Sequence, residues 1–262
     1  MKEKRLEIYY EKYDEDQRLV SKHGAVEYST TMRYIDKYLK DEDKILEIGA
    51  GTGRYSHALA QRGYEVDAIE LVEHNIDIFK SKTQGSERIS IRQGNALDLS
   101  CFPSEKYDIT LLLGPMYHLY AVEEQKQALS EALRVTKTGG IVYVAYCGND
   151  ATMIRYGFQR AMIQSESYRS MIDPVTFKAK TDPQTLFVMY RKEDIDSLMS
   201  EFQVKRLHFV GSDMTSYFMK EEIDTMEDEL YEIYLKYHFS ICERSDMVGI
   251  SQHFLDIFRK ES

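Results

Sequence analysis

The stretch Lys44-Ile-Leu-Glu-Ile-Gly-Ala-Gly-Thr-Gly-Arg-Tyr-Ser-His-Ala-Leu59 decides the fold. An apolar, β-branched run, KILEI, ends in Gly49, Gly51 and Gly53, and a helical segment begins at Arg54. Glycines at such a junction permit a tight turn and close approach of backbone to a ligand. The N-terminus of the following helix offers backbone N–H groups to it. The spacing is G-x-G-x-G. A dinucleotide fingerprint places its third glycine one residue later, where this chain has Arg54, and no G-K-[ST] follows as in a phosphate-binding loop. At the end of the next strand stands Glu70, 21 residues after Gly49, where a carboxylate accepts hydrogen bonds from the two hydroxyls of a ribose. Loop and acid together point to an adenosine-type cofactor.

Working outward, short apolar runs at 44–48, 64–70, 87–92, 107–113 and 140–146 alternate with helical segments, clearest at Arg54–Gln61, Val72–Lys82 and Val122–Lys137. Nearly continuous apolar strands separated by helices predict βαβ units on a parallel sheet covered on both faces. Residues 1–43 read as a helical preface. Beyond Gly148 the pattern predicts a helix over Ala151–Met171, a loop over Asp173–Asp182 with Pro174 and Pro183, a helix over Lys192–Ser200 and a strand over Gln203–Gly211. A helix over Lys220–Tyr237 would carry Ile223, Met226, Leu230, Ile233, Tyr234 and Tyr237 on one face, and a last strand covers His253–Lys260. The reading is one domain over 1–262: preface, cofactor-binding core at 44–148, and helical lid or substrate insertions at 149–191 and 212–250.

The chain has 262 residues, 43% hydrophobic and 30% charged, with a formal net charge of −10. That balance argues against nucleic acid or an anionic membrane as main partner, since both call for a cationic surface. The three cysteines, Cys101, Cys147 and Cys242, are widely spaced and read as buried small hydrophobes, not a disulfide framework or zinc site. The N-terminus is highly charged, and the longest uncharged run, Ile109–Val122, is broken by Gly114 and Pro115. A cytoplasmic protein without membrane association is expected.

These motifs resemble the class I S-adenosylmethionine-dependent methyltransferases. Glu47-x-Gly49-x-Gly51-x-Gly53 matches the first motif of that family and Glu70 its ribose-binding acid. QGNAL at 93–97 matches the adenine-cradling segment, with Asn95 in place of the usual Asp. YDITLLLGPMYHLY at 107–120 resembles the fourth strand and its loop, and LRVTKTGGIVYVAY at 133–146 the helix, turn and fifth strand. The resemblance implies a seven-stranded Rossmann-like sheet of order 3-2-1-4-5-7-6 with strand 7 antiparallel. It also implies S-adenosyl-L-methionine as cofactor and S-adenosyl-L-homocysteine as product. The cofactor-binding set it implies is Glu47, Gly49, Ala50, Gly51, Thr52, Gly53, Glu70, Leu71, Asn95, Ala96, Leu113 and Tyr28. Tyr28 and Arg33 are the candidates near the cofactor carboxylate.

Methyl transfer from a sulfonium is an in-line displacement that depends on positioning, on an unprotonated acceptor atom and on exclusion of water. Tyr117 and His118 follow the fourth strand, where ligands sit in open α/β sheets, so they are the catalytic candidates, His118 as general base. Among the 20 tyrosines, Tyr13, Tyr28 and Tyr117 are those expected to face the ligands. His23, His57, His74, His208, His238 and His253 share no ligand spacing, and no metal is expected. The acidic run Glu221, Glu222, Asp224, Glu227, Asp228, Glu229, Glu232 reads as a solvated face or as a lid favouring a cationic or amine-bearing acceptor. The leading function is methyl transfer to oxygen or nitrogen of a small molecule. The alternatives are a methyltransferase of tRNA, rRNA or protein, against which GPMY stands where nucleobase and amide methylators carry N-P-P-[FY], and a non-catalytic S-adenosylmethionine-binding protein. The acceptor and the oligomeric state are not legible.

Overall fold

The computed structural model describes residues 2–12, 19–182 and 185–261. Tyr13 and Pro183 therefore lie outside the described residues. Helices α1 (Lys2–Tyr10) and α2 (Lys22–Asp36) precede the sheet. Then come β1 (Lys44–Ile48), α3 (Arg54–Ala60), β2 (Glu65–Glu70), α4 (Glu73–Lys82), β3 (Ile89–Gln93), β4 (Tyr107–Leu112), α5 (Val122–Val135) and β5 (Thr136–Gly148). The chain continues through α6 (Asn149–Thr152), α7 (Glu166–Ser170), β6 (Met189–Tyr190), α8 (Lys192–Met199), β7 (Val204–Gly211), α9 (Lys220–Asp224), α10 (Asp228–Ile241) and β8 (His253–Lys260).

Strand order is β3-β2-β1-β4-β5-β8-β7. The strands from β3 to β5 pair in parallel, and β8 runs antiparallel to both β5 and β7. This is the expected seven-strand order, with the two-residue β6 added in parallel beside the end of β5. Because β1 has β2 on one side and β4 on the other, the sheet reverses its winding at β1, and a crevice opens at the carboxyl ends of these strands.

Both faces of the sheet are covered, as the unbroken apolar strands require. On one, Leu46, Ile48, Val142 and Val144 pack with Leu129 and Ala132 of α5 and Ile195 and Leu198 of α8. On the other, Ile45, Ile109, Leu111 and Tyr143 pack with Ile35 of α2 and Leu59 of α3. Cys147 and Cys242 are buried as expected, but Cys101 is exposed, since it stands in the turn between β3 and β4 and not in an element.

The insertions depart from their expected form. The segment read as one helix over 151–171 is broken: α6 runs into a π-helical stretch, Met153–Gln159, which stops at Ala161 in the left-handed region (φ 53°). The late helix is likewise two, α9 and α10, separated around Thr225, so a single apolar stripe does not persist. Ile223 and Tyr234 are buried while Leu230, Ile233 and Tyr237 are exposed. Among the described residues, no helix is long and apolar enough to cross a membrane.

Candidate cofactor and acceptor site

The glycine loop stands at the switch point and folds back on itself. Gly49 and Ala50 N–H groups donate to the Ile69 carbonyl of β2 (2.8 and 3.2 Å), and Gly53 N–H to the Ala50 carbonyl (2.9 Å). Gly49, Gly51 and Gly53 all have positive φ, at 75°, 54° and 87°. A Cβ at Gly49 would lie 2.6 Å from Pro115 Cδ, so glycine is needed there for conformation and for space.

Two buried carboxylates lock the loop. Glu70 accepts from Gly51 N–H (2.8 Å) and Val72 N–H (2.9 Å), fixing its side chain at the loop mouth. Burial raises its pKa, and these donors work in the opposite direction. Glu47, at the end of β1, accepts from the backbone N–H of Ser56 (2.9 Å) and from the Ser56 hydroxyl, thereby capping the first turn of α3. Desolvation pushes Glu47 up to about 8, with the Glu70 carboxylate adding to the rise and the Ser56 hydrogen bonds opposing it.

The helix terminus that a pyrophosphate would use is thus already occupied by an acid of the chain itself. The cavity in front of the loop, about 320 Å³, is also lined by Glu27, Glu47, Glu70 and Glu124 and, of the Lys and Arg side chains among the described residues, by Arg54 alone. Such a lining suits a cationic adenosyl cofactor and disfavours a dinucleotide.

Glu47, Gly49, Ala50, Gly51, Thr52, Glu70, Leu71, Asn95, Ala96, Leu113, Tyr117 and His118 all line this cavity. Gly53 instead caps α3 and packs toward Phe79 and His57. Asn95 Oδ1 accepts from Leu97 N–H (3.0 Å), so part of its acceptor capacity holds its own turn. Tyr28 does not line the cavity: its ring lies under the Arg54 guanidinium (4.6 Å) and beside Tyr55. Arg33 lies over Phe239. The face α2 turns to the cavity is Glu27 and Thr31, four residues apart and about 100° of helix away from Tyr28. That i,i+4 pair is a signal the sequence reading passed over.

His118 ends a 3₁₀ turn, Pro115–His118, after β4. Its Nδ1 is 2.8 Å from the Leu186 carbonyl, an acceptor only, so in the neutral ring Nδ1 carries the proton. Nε2 then accepts from the Tyr10 hydroxyl (3.0 Å). Tyr10, on α1, was not among the expected site residues; its partner is 108 positions away.

A second cavity, about 810 Å³, adjoins the first, sharing Tyr10 and Tyr117 as lining. The insertions supply most of its wall: Arg155, Tyr156, Arg160, Tyr168 and Phe187 from 149–191, Tyr217, Lys220 and Asp224 from 212–250. Of the acidic run, only Asp224 reaches it, bound to His23 Nδ1 (2.7 Å). The other six acids are exposed and line neither cavity, which corrects the acidic-lid reading.

His253 also faces this cavity, with Glu27 and Asp213 behind it; among the described residues these are the one group close enough to hold a metal ion. Its Nδ1 lies 2.6 Å from Asp213 and 3.3 Å from Glu27. Burial opposes the imidazolium, but the two carboxylates outweigh it and hold the ring pKa well above its ordinary value. The three side chains form a hydrogen-bonded cluster in which the ring faces both carboxylates.

The comparisons with known proteins agree with this geometry. Residues 46–144 match the methyltransferase domain family. A demethylmenaquinone methyltransferase of Clavibacter sepedonicus is 32% identical over 122 residues, 46% of this chain and 48% of that protein. A ubiquinone biosynthesis O-methyltransferase of Leptothrix cholodnii is 29% identical over 104 residues, 39% of this chain and 43% of that one. The chain spans about half the length of the curated relatives it matches. A solved methyltransferase of Thermotoga maritima, described as a possible histamine N-methyltransferase, is similar over 99% of this chain and 98% of its own. Its TM-score is 0.57 at 17% identity, so the shared fold extends past the matched core. With this sheet order, the acid-locked glycine loop and the match to the methyltransferase domain over residues 46–144, the cofactor-binding part of the chain is similar to the S-adenosylmethionine-dependent methyltransferases, whose fold the whole chain shares.

Proposed function

We propose that the chain transfers a methyl group from S-adenosyl-L-methionine to an oxygen or nitrogen of a small molecule. The observation that carries this reading is the contact between two unlike cavities, an acidic one at the glycine loop and a tyrosine-lined one beyond it, which meet at Tyr10 and Tyr117. The cofactor would supply an activated methyl carbon on a sulfonium. Glu70 would hold the ribose hydroxyls, the loop backbone and Leu71 the adenosine, and Asn95 and Ala96 the adenine edge. The acceptor would lie against Tyr10. As its oxygen or nitrogen attacks in line, the proton it loses passes to the phenol oxygen while the phenol proton moves to His118 Nε2. The Leu186 carbonyl holds the imidazole in the tautomer that can receive it. The preface and the insertions exclude water from the junction.

The test is calorimetric binding of S-adenosylmethionine, S-adenosylhomocysteine and NAD to the wild type and to Glu70→Ala. Micromolar adenosyl binding, no NAD binding, and a loss of at least about 100-fold in the variant are expected, the last from two charge-assisted hydrogen bonds of ~1.5–3 kcal/mol each. Adenosyl binding indifferent to Glu70 would overturn the site.

A further inference from the structure

We infer that the acceptor carries an oxyanion, a carboxylate or a phosphate, on a body that lies between tyrosine rings; this rests on the function proposed above. The second cavity gathers three cations, Arg155, Arg160 and Lys220, and none of them has a carboxylate within 4.0 Å among the described residues. In a chain of 44 acids and 34 Lys and Arg, such an unpaired group on one wall calls for an anion from elsewhere.

The two guanidinium groups are held in place without having their charge neutralised. Arg155 donates Nη1–H to Gln252 Oε1 (2.7 Å) and lies over the Tyr217 ring at 4.4 Å. Arg155 and Arg160 also flank the Tyr156 ring, at 5.2 and 4.7 Å from its centroid. Neutral partners fix the orientation of a guanidinium while leaving its charge for a ligand, the arrangement suited to bidentate oxyanion recognition. Arg155 and Tyr156 stand on the π-helical turn, a rare conformation that here brings both to the cavity.

The carboxylates nearest the cavity do not cancel this charge. Asp224 is bonded to His23 and also feels the Lys220 charge without contacting it, so the excess rests mainly on Arg155 and Arg160; Asp213, with no exposure, and Glu27 are taken by His253. The tyrosines give the rest of the ligand an aromatic or apolar contact surface, so the acceptor class is an aryl or alkyl acid, not an amine.

The test uses the full chain saturated with S-adenosylhomocysteine and titrated calorimetrically with 4-hydroxybenzoate, phenyl phosphate and the uncharged 4-hydroxybenzamide. Binding of one of the anions at least about tenfold tighter than the amide, the worth of one charge-assisted hydrogen bond, is expected. In Arg160→Ala/Lys220→Ala, both positions being exposed, that preference falls about tenfold while S-adenosylhomocysteine affinity stays unchanged. The anion that binds tighter identifies the oxyanion. Equal binding of amide and anions, an undiminished preference in the double variant, or no anion binding to the S-adenosylhomocysteine complex overturns the inference. Failure of S-adenosylhomocysteine itself to bind overturns it together with the proposed function.

Discussion

Glu47 allows a sharp test of how the loop is built. Its carboxyl is buried at the end of β1, with the Ser56 N–H and hydroxyl as donors, and burial lifts its pKa from 4.5 to about 8. An acid whose folded pKa is raised binds its proton more tightly folded than unfolded. Stability from this group is fully present below pH ~4.5 and is lost as pH rises through ~8. The full difference of about 3.5 units corresponds to about 5 kcal/mol, and integration between pH ~5 and ~8.5 gives about 4 kcal/mol. Other groups contribute to the wild-type pH profile. Glu70 has the same sign, while buried His238, pushed down to about 4, gains stability as pH rises from ~4 to ~6.5. Subtracting the profile of Glu47→Gln cancels these. The amide oxygen can still accept from Ser56, and it cannot ionise. Urea unfolding of both proteins at pH ~5 and ~8.5 should therefore show the variant gaining about 4 kcal/mol relative to wild type across the interval. A difference between the two proteins that stays constant within ~1 kcal/mol would refute the account of a desolvated carboxyl beneath the loop.

Gly49→Ala places a methyl group at φ 75° and 2.6 Å from Pro115 Cδ; a loss of about 2–4 kcal/mol in urea unfolding and weakened S-adenosylhomocysteine binding are expected. Arg206 donates to both oxygens of the fully buried Asp256 (2.7 and 2.8 Å), so Arg206→Met should cost about 3–5 kcal/mol by stranding the carboxylate. Adding Asp256→Asn should restore part of it; no recovery would show that the ion pair is not the source. Tyr10→Phe removes the donor to His118 Nε2 while keeping the ring, and kcat should fall about 100-fold with S-adenosylhomocysteine affinity little changed. An unaltered kcat would remove Tyr10 from the proton path.

The sheet could be read from the chain because buried parallel strands leave an unmistakable mark. Ile45–Ile48 and Ile109–Leu112 are buried on both faces and apolar but for Glu47 and Thr110, and each is followed by a helical period. The glycine loop and Glu70 were legible for a similar reason: positive φ and strand-end acidity are local demands. The insertions were not. A π-turn whose exit is Ala161 at φ 53° has no residue pattern that distinguishes it from an α-helix, and β6 is only two residues long. The Tyr10–His118 bond joins α1 to the β4 loop, and Tyr13, the expected aromatic, is three positions away on the same segment. Tyr28 failed as a site residue by one position, since the helix presents Glu27 and Thr31. Periodicity shows that a helix has faces; only the packing of α2 on the sheet decides which face meets the ligand.

The charge of the two cavities explains a feature that composition obscured. The chain is acidic overall, and its most acidic segment seemed to set acceptor preference, yet six of those seven acids face solvent. What a ligand meets is local: Glu70 and Glu124, with Glu27 paired to His253 and Glu47 raised to about 8, on one side of Tyr10 and Tyr117, and Arg155, Arg160 and Lys220 on the other. A cationic methyl donor drawn to the first wall and an anionic acceptor drawn to the second would each be repelled by the other's site, which sorts the two before they meet. At the junction stand the Tyr10 phenol and the His118 imidazole, joined through Nε2, with Nδ1 facing the Leu186 carbonyl. The pair suits the chemistry, because methyl transfer leaves a neutral thioether and, with a neutral acceptor, releases a proton that His118 Nε2 would take up through the Tyr10 phenol. A fixed cation at that point would oppose the donor, and a fixed anion would oppose the acceptor.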